Sequence, residues 1–247
     1  MIERRLFLSS AASCLLANNL PARGADSAAS EPAATPDYAD VLGPFPSDYR
    51  LFGTSPATGP EEDAARRILA SAPRKGNVLE TAQYFADLTE TNAEKQGYNA
   101  QWPVRWNPVI VGFYQSTNLG KAYSYVHGDT TPWCAAFLNW CLAQNGYKTT
   151  DSASSGSFRL FGGLGKPTTT PKPGDIIVFK SNNPTAAATG SGHVTFFLSK
   201  APGGFNVLGG NQHKGKKYSS INSEFFSETP PGMVLDSIRA LDSVGKA

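Results

Sequence analysis

The sequence predicts an α+β fold, with helices in the first part of the chain and an antiparallel sheet in the second. Three observations carry that expectation. Apolar residues recur at helical spacing between residues 58 and 146, behind N-capping signals. After Gly156 the period changes to short runs of β-branched and aromatic residues bounded by Gly and Pro. Two of those runs flank Pro202-Gly203-Gly204, a turn that makes them a hairpin. With 40% apolar and 11% aromatic residues in 247, the chain can bury a substantial core.

In chain order, residues 1–25 read as a signal peptide. Arg4 and Arg5 precede an apolar run, Leu6 to Ala17, that is shorter than the roughly 20 residues a membrane span needs. Arg4-Arg5-Leu6-Phe7-Leu8 is similar to a twin-arginine export signal, and small residues between Gly24 and Ala29 suit cleavage. The mature protein is then expected in the periplasm or outside the cell, without an integral membrane segment. Residues 26–60 have the Ala, Ser, Pro, Thr and Gly content of an unstructured linker.

Residues 61–104 form a helical extension. Thr58-Gly59-Pro60-Glu61 is a capping box that opens a helix with Ala64, Ala65, Ile68, Leu69 and Ala72 on one face. Asn77 with Glu80 opens another, turning Val78, Ala82, Phe85 and Leu88 inward. Residues 105–247 are expected to be the catalytic domain. In it Asn107-Pro108 starts a short helix through Phe113 and Tyr114, and a further helix runs from about Pro132 to Asn145, closed by Gly146. Strands are predicted at Ile176 to Lys180, His193 to Ser199 and Phe205 to Gly210.

Charge excludes some functions. Removing Arg4, Arg5 and Arg23 from the 22 basic side chains, and Glu3 from the 20 acidic ones, leaves 19 of each. A net charge of zero offers no field for nucleic acid. Loss of Cys14 with the signal leaves Cys134 and Cys141, seven residues apart on one predicted helix and so about 10.5 Å apart along its axis. That exceeds the roughly 7 Å a disulfide spans, which leaves two thiols to explain in an exported protein. Cys141 lies two turns inside the helix and reads as a buried apolar residue. Cys134 lies in the first turn, where free backbone N–H groups and the helix dipole favour a thiolate and can hold an oxyanion.

A cysteine nucleophile needs a base. His193 is the candidate, because Gly190-Ser191-Gly192 permits a close backbone approach before the strand Val194 to Leu198. His127 and His213 lie in Gly-rich and Lys-rich loops and read as solvent-exposed. Hairpin register about Pro202-Gly203-Gly204 puts Asn211 opposite His193 or one residue away, close enough to orient the imidazole. A turn asparagine after Gly209-Gly210 is an equal reading. Tyr98, Trp102 and Trp106 suit either packing or a substrate groove, Asp175 is a turn residue, and no zinc-ligand spacing is present in the sequence.

Five segments then resemble, in order, the CHAP family of cysteine, histidine-dependent amidohydrolases/peptidases. They are Asn107-Pro108 through Phe113, Pro132 to Phe137, Pro173 to Phe179, Gly192-His193-Val194 and Gly209-Gly210-Asn211-Gln212. The resemblance covers residues 105–240 and implies a papain-like fold in which the sheet packs on a helix with the nucleophile at its N-terminus. It implies cleavage of peptidoglycan or its muropeptides, between muramic acid and alanine or within the peptide stem, without a cofactor or metal. Cys134, His193 and Asn211 are the catalytic candidates, and Trp133, Gly192 and Gln212 the candidate substrate contacts. Many family members carry an acidic residue where this chain has Gly209. Acyl or peptidyl transfer by the same groups, and a wall-binding module without activity, are the alternative functions.

Overall fold

The computed structural model describes residues 55–121, 128–159 and 163–247. The predicted signal peptide, most of the predicted linker and His127 lie outside the described residues. None of the described helices is long and apolar enough to cross a membrane.

Local capping starts the helices where the sequence places them. In α1 (Gly59–Ser71) the Thr58 N–H donates to Glu61 Oε2 at 2.7 Å. In α2 (Val78–Ala86) and α3 (Pro108–Phe113), the side chains of Asn77 and Asn107 accept from the N–H two residues on, satisfying donors the helix cannot. The predicted linker ends earlier than residue 60. Ser55 pairs with the 104–106 segment, donating to Val104 O at 3.2 Å and accepting from Trp106 N–H at 2.9 Å. Buried Glu61 also meets Arg105, whose Nη2 lies 2.7 Å from Glu61 Oε1. Burial alone would raise the Glu61 carboxyl, but Arg105 and Thr58 outweigh it and hold it below its ordinary value.

The helical extension is not a separate body. Phe85 of α2 stands edge-on to Phe113 of α3 and to Trp140, both at 5.1 Å between ring centroids. Trp140 belongs to α5 (Cys134–Gln144), which follows a one-turn helix, α4 (Asn118–Lys121). Ala65, Ile68, Val78, Ala82 and Phe85 therefore share one core with Phe137, Leu138, Val194 and Leu208. Polar ties join the same parts. Asn145, buried just past α5, accepts from Gly76 N–H at 3.0 Å and donates to Thr81 Oγ1 at 2.8 Å. The sequence predicts one inward face for α5, whereas every residue from Cys134 to Leu142 is buried. Sheet, α2 and α3 together surround it.

The strands are β1 (Lys166–Pro167), β2 (Ile176–Ser181), β3 (Gly192–Ala201), β4 (Gly204–Gln212), β5 (Ser220–Ser227) and β6 (Met233–Ala240), with α6 (Pro184–Ala188) between β2 and β3. They make one antiparallel sheet in the order β1-β6-β2-β3-β4-β5. Helices with an antiparallel sheet are the α+β class that the periodicities predict; β5 and β6 are additions to the strands read from sequence. One sheet face, with Val194, Phe196 and Leu208, packs on α5. The other gathers Ile177, Phe179, Phe197, Phe205 and Val207 with Phe226. Asp175 is the turn residue expected: its carboxylate accepts from Lys172 N–H and Leu241 N–H, both at 2.8 Å.

Candidate active site

Cys134 is the first residue of α5 and is 3% exposed. The loop leading into it is held from several sides. Gln101 donates to Asp129 O at 2.6 Å and accepts from Ser219 Oγ at 2.6 Å, while Asp129 Oδ2 accepts from Asn107 N–H at 2.9 Å. Trp133 is fully buried; its ring lies 6.4 Å from Phe113, nearly parallel. A Cβ at Gly210 would come within 2.5 Å of the Trp133 ring, so β4 runs directly over this indole. The placement makes Trp133 a wall of the core beneath the site, out of reach of solvent.

Cys134 Sγ points at the edge of β3, where the N–H of Val194 donates to it; the N–H groups of Ala135 and Cys134 also face the sulfur. Val194 directly follows His193, so the fold brings the two candidate catalytic segments together. Position in the first helical turn favours a thiolate in the sequence reading, but burial outweighs the three N–H groups and pushes the thiol up to about 11. This corrects the expected activated thiolate, since desolvation depends on packing that the helix position alone does not express. Cys141 is fully buried, its thiol is also raised by burial, and both cysteines are free.

Gly192 opens β3 at a point where its backbone touches β2. A Cβ there would lie 2.0 Å from Phe179 O, so the close approach expected of Gly190-Ser191-Gly192 is realised. His193 is 3% exposed and opposes Phe179 across the ladder. Its ring stacks on Phe226 at 5.4 Å and 19°, and its Nε2 lies 3.5 Å from Gln212 Oε1. Burial lowers the imidazole to about 4, with the Gln212 contact opposing and nearby His213 adding to the fall. Among the described residues no hydrogen bond joins Cys134 Sγ to the ring. Thiol and imidazole are thus a neutral pair at pH 7.

The β3–β4 hairpin has the expected register, with Phe196 facing Leu208 and Phe197 facing Val207, but the ladder stops there. Between Gly209↔Asn222 and Gln212↔Ser220 the pairing slips, so Gly210 and Asn211 together stand against Ile221. Asn211 takes φ 60°, a left-handed conformation that asparagine tolerates. The side chain delivered to the imidazole is Gln212; Asn211 is buried in the bulge beside it. Gln212 is clamped from behind, its Nε2 donating to Asn222 O at 2.9 Å, while Thr195 Oγ1 donates to its Oε1 at 3.0 Å. Half-buried Glu224 lies next to the same carboxamide, and burial raises its carboxyl despite that contact and Lys214. Neither Thr195 nor Asn222 is signalled by a sequence motif.

Tyr98 and Trp102 are buried and packed edge-on at 5.2 Å, which makes them core. Among the described residues no group of three His, Cys, Asp or Glu could hold a metal ion.

Residues 126–211, which contain Cys134, His193 and Asn211, match the family model of the CHAP domain. This stretch of the chain is a CHAP domain. The match is narrower than the 105–240 resemblance and leaves the helical extension outside it. No curated protein and no solved structure matches the chain. A CHAP domain implies amidase or peptidase chemistry of the peptidoglycan-hydrolase kind, dependent on cysteine and histidine.

Proposed function

We propose that the protein hydrolyses an amide bond of bacterial peptidoglycan, between muramic acid and alanine or within the peptide stem, on a papain-like scaffold and through a thioester intermediate. The observation that carries this is the convergence of Cys134, at the start of α5, on β3 beside His193, within a CHAP domain. Because thiol and imidazole are both neutral at rest, His193 acts as a general base during attack, with no preformed ion pair. Sγ bonds to the amide carbonyl carbon as its proton passes to the imidazole. The N–H of Cys134 faces the oxygen on which charge develops. The carbon–nitrogen bond then breaks, and the imidazolium returns its proton to the leaving amine. Water, deprotonated by His193, opens the thioester and releases the carboxylate and the thiol. No step requires a metal or cofactor. Export through the twin-arginine-like signal would place this chemistry at the cell wall.

Purified muropeptides incubated with the mature protein should release new amino groups, and mass spectrometry of the fragments identifies the bond. Cys134→Ala should abolish release. Undiminished release by Cys134→Ala overturns the mechanism. Products in which an added amine replaces water would make the protein a transferase, and binding to sacculi without release would make it a wall-binding module.

A further inference from the structure

We infer that Gln212 is the residue that positions the His193 imidazole, holding the ring proton on Nε2 so that Nδ1 is the basic nitrogen, and that glycine at position 209 makes room for it. This rests on the reading of His193 as the base. The orientation of the Gln212 amide follows from its neighbours. Asn222 O, a backbone carbonyl, can only accept, so the Gln212 atom 2.9 Å away is the –NH2 group. Its Oε1 therefore faces Thr195 Oγ1 at 3.0 Å and His193 Nε2 at 3.5 Å. A carbonyl oxygen opposite Nε2 demands N–H there, and the neutral ring then has its lone pair on Nδ1. The Nε2 contact is at the long end of hydrogen bonding, as is common before substrate binds, and it strengthens when the ring becomes imidazolium. Stacking on Phe226 sets the ring plane.

Position 209 bears on the same atoms. A Cβ at Gly209 would lie 2.4 Å from Gln212 Oε1 and 2.5 Å from Thr195 Oγ1, so a side chain there would take the space the carboxamide occupies. The left-handed backbone at Asn211 turns Gln212 into that space. The role of Asn211 is thus carried by its backbone, and its side chain is dispensable.

Three variants test this, each checked for folding by thermal melting. Gln212→Ala removes the carboxamide; Gly209→Ala displaces it by a clash with the end of a flexible side chain. Asn211→Gly deletes the side chain while keeping a residue that adopts positive φ freely. In the wild type, ¹⁵N NMR of the imidazole should show the Nε2–H tautomer at pH 7; Gln212→Ala and Gly209→Ala should show a mixture. Their kcat should fall by about 10 to 10³-fold with KM nearly unchanged, below the ~10⁴-fold cost of misplacing a tautomer held by a carboxylate. Asn211→Gly should keep the tautomer and most of kcat. Unchanged tautomer and full rate in Gln212→Ala, or loss of both in a folded Asn211→Gly, would overturn the assignment. The NMR readout needs no substrate, so it separates failure of this inference from failure of the proposed hydrolysis.

Discussion

Asp129, five residues before Cys134, gives the sharpest physical test of the loop that presents the nucleophile. It is fully buried, its Oδ2 accepts from Asn107 N–H, and its Oδ1 has no partner among the described residues. Burial lifts the carboxyl from its ordinary 3.8 to about 7, against the backbone donors. At 1.36 kcal/mol per pH unit, such a difference between folded and unfolded chains corresponds to about 4 kcal/mol. The folded chain keeps a proton that the unfolded chain gives up. Asp129 therefore contributes its full stability below about pH 4, and that contribution is lost as pH rises to about 7. Buried His193 acts in the opposite sense: its folded value is depressed from 6.5 to about 4, so its share grows as pH rises over that interval. The two partly cancel in the wild type, and the difference from Asp129→Asn isolates the carboxyl. The amide keeps an acceptor for Asn107 N–H and cannot ionise, but its –NH2 replaces an unpartnered oxygen at a cost of about 1 kcal/mol. Urea denaturation of both proteins at pH 4.5 and 7.5 should show Asp129→Asn gaining about 2 to 4 kcal/mol on the wild type between the two pH values. A difference that stays constant with pH would refute the buried, protonated carboxyl.

Two more outcomes are expected. Gly192→Ala puts a Cβ 2.0 Å from Phe179 O and 3.0 Å from Lys180 Cα, both backbone atoms, so β2 and β3 must part. A loss of about 3 kcal/mol, or roughly 6 to 12 °C in Tm, should follow, and a variant melting with the wild type would contradict the close approach. In a Cys141→Ala background, alkylation of Cys134 by iodoacetamide should be slow at neutral pH and rise about tenfold per pH unit from 7 to 9.5, because the thiol lies near 11. A plateau by pH 8.5 would mean an activated thiolate.

Elements whose cause is local were legible from sequence. Thr58 with Glu61, Asn77 and Asn107 each satisfy helix donors within three residues of themselves, so the helix starts can be read from short windows. The β3–β4 register was legible for a similar reason, since the turn Pro202-Gly203-Gly204 lies between its two halves. β5 and β6 were not, because Ser220, Asn222, Ser223 and Glu224 give β5 no clean alternation and its pairing is set by β4.

The sequence by itself determined that Cys134 begins a buried helix, that glycine must precede His193, and that the 126–211 stretch carries the CHAP pattern. Tertiary structure alone decided which side chain meets the imidazole and in what charge state the thiol rests. A slip of one residue between β4 and β5 exchanges Asn211 for Gln212 at the ring, and the slip depends on a strand whose pairing is long-range. The thiol and imidazole values depend on how completely α2, α3 and the sheet exclude water, and no residue's neighbours in sequence record that.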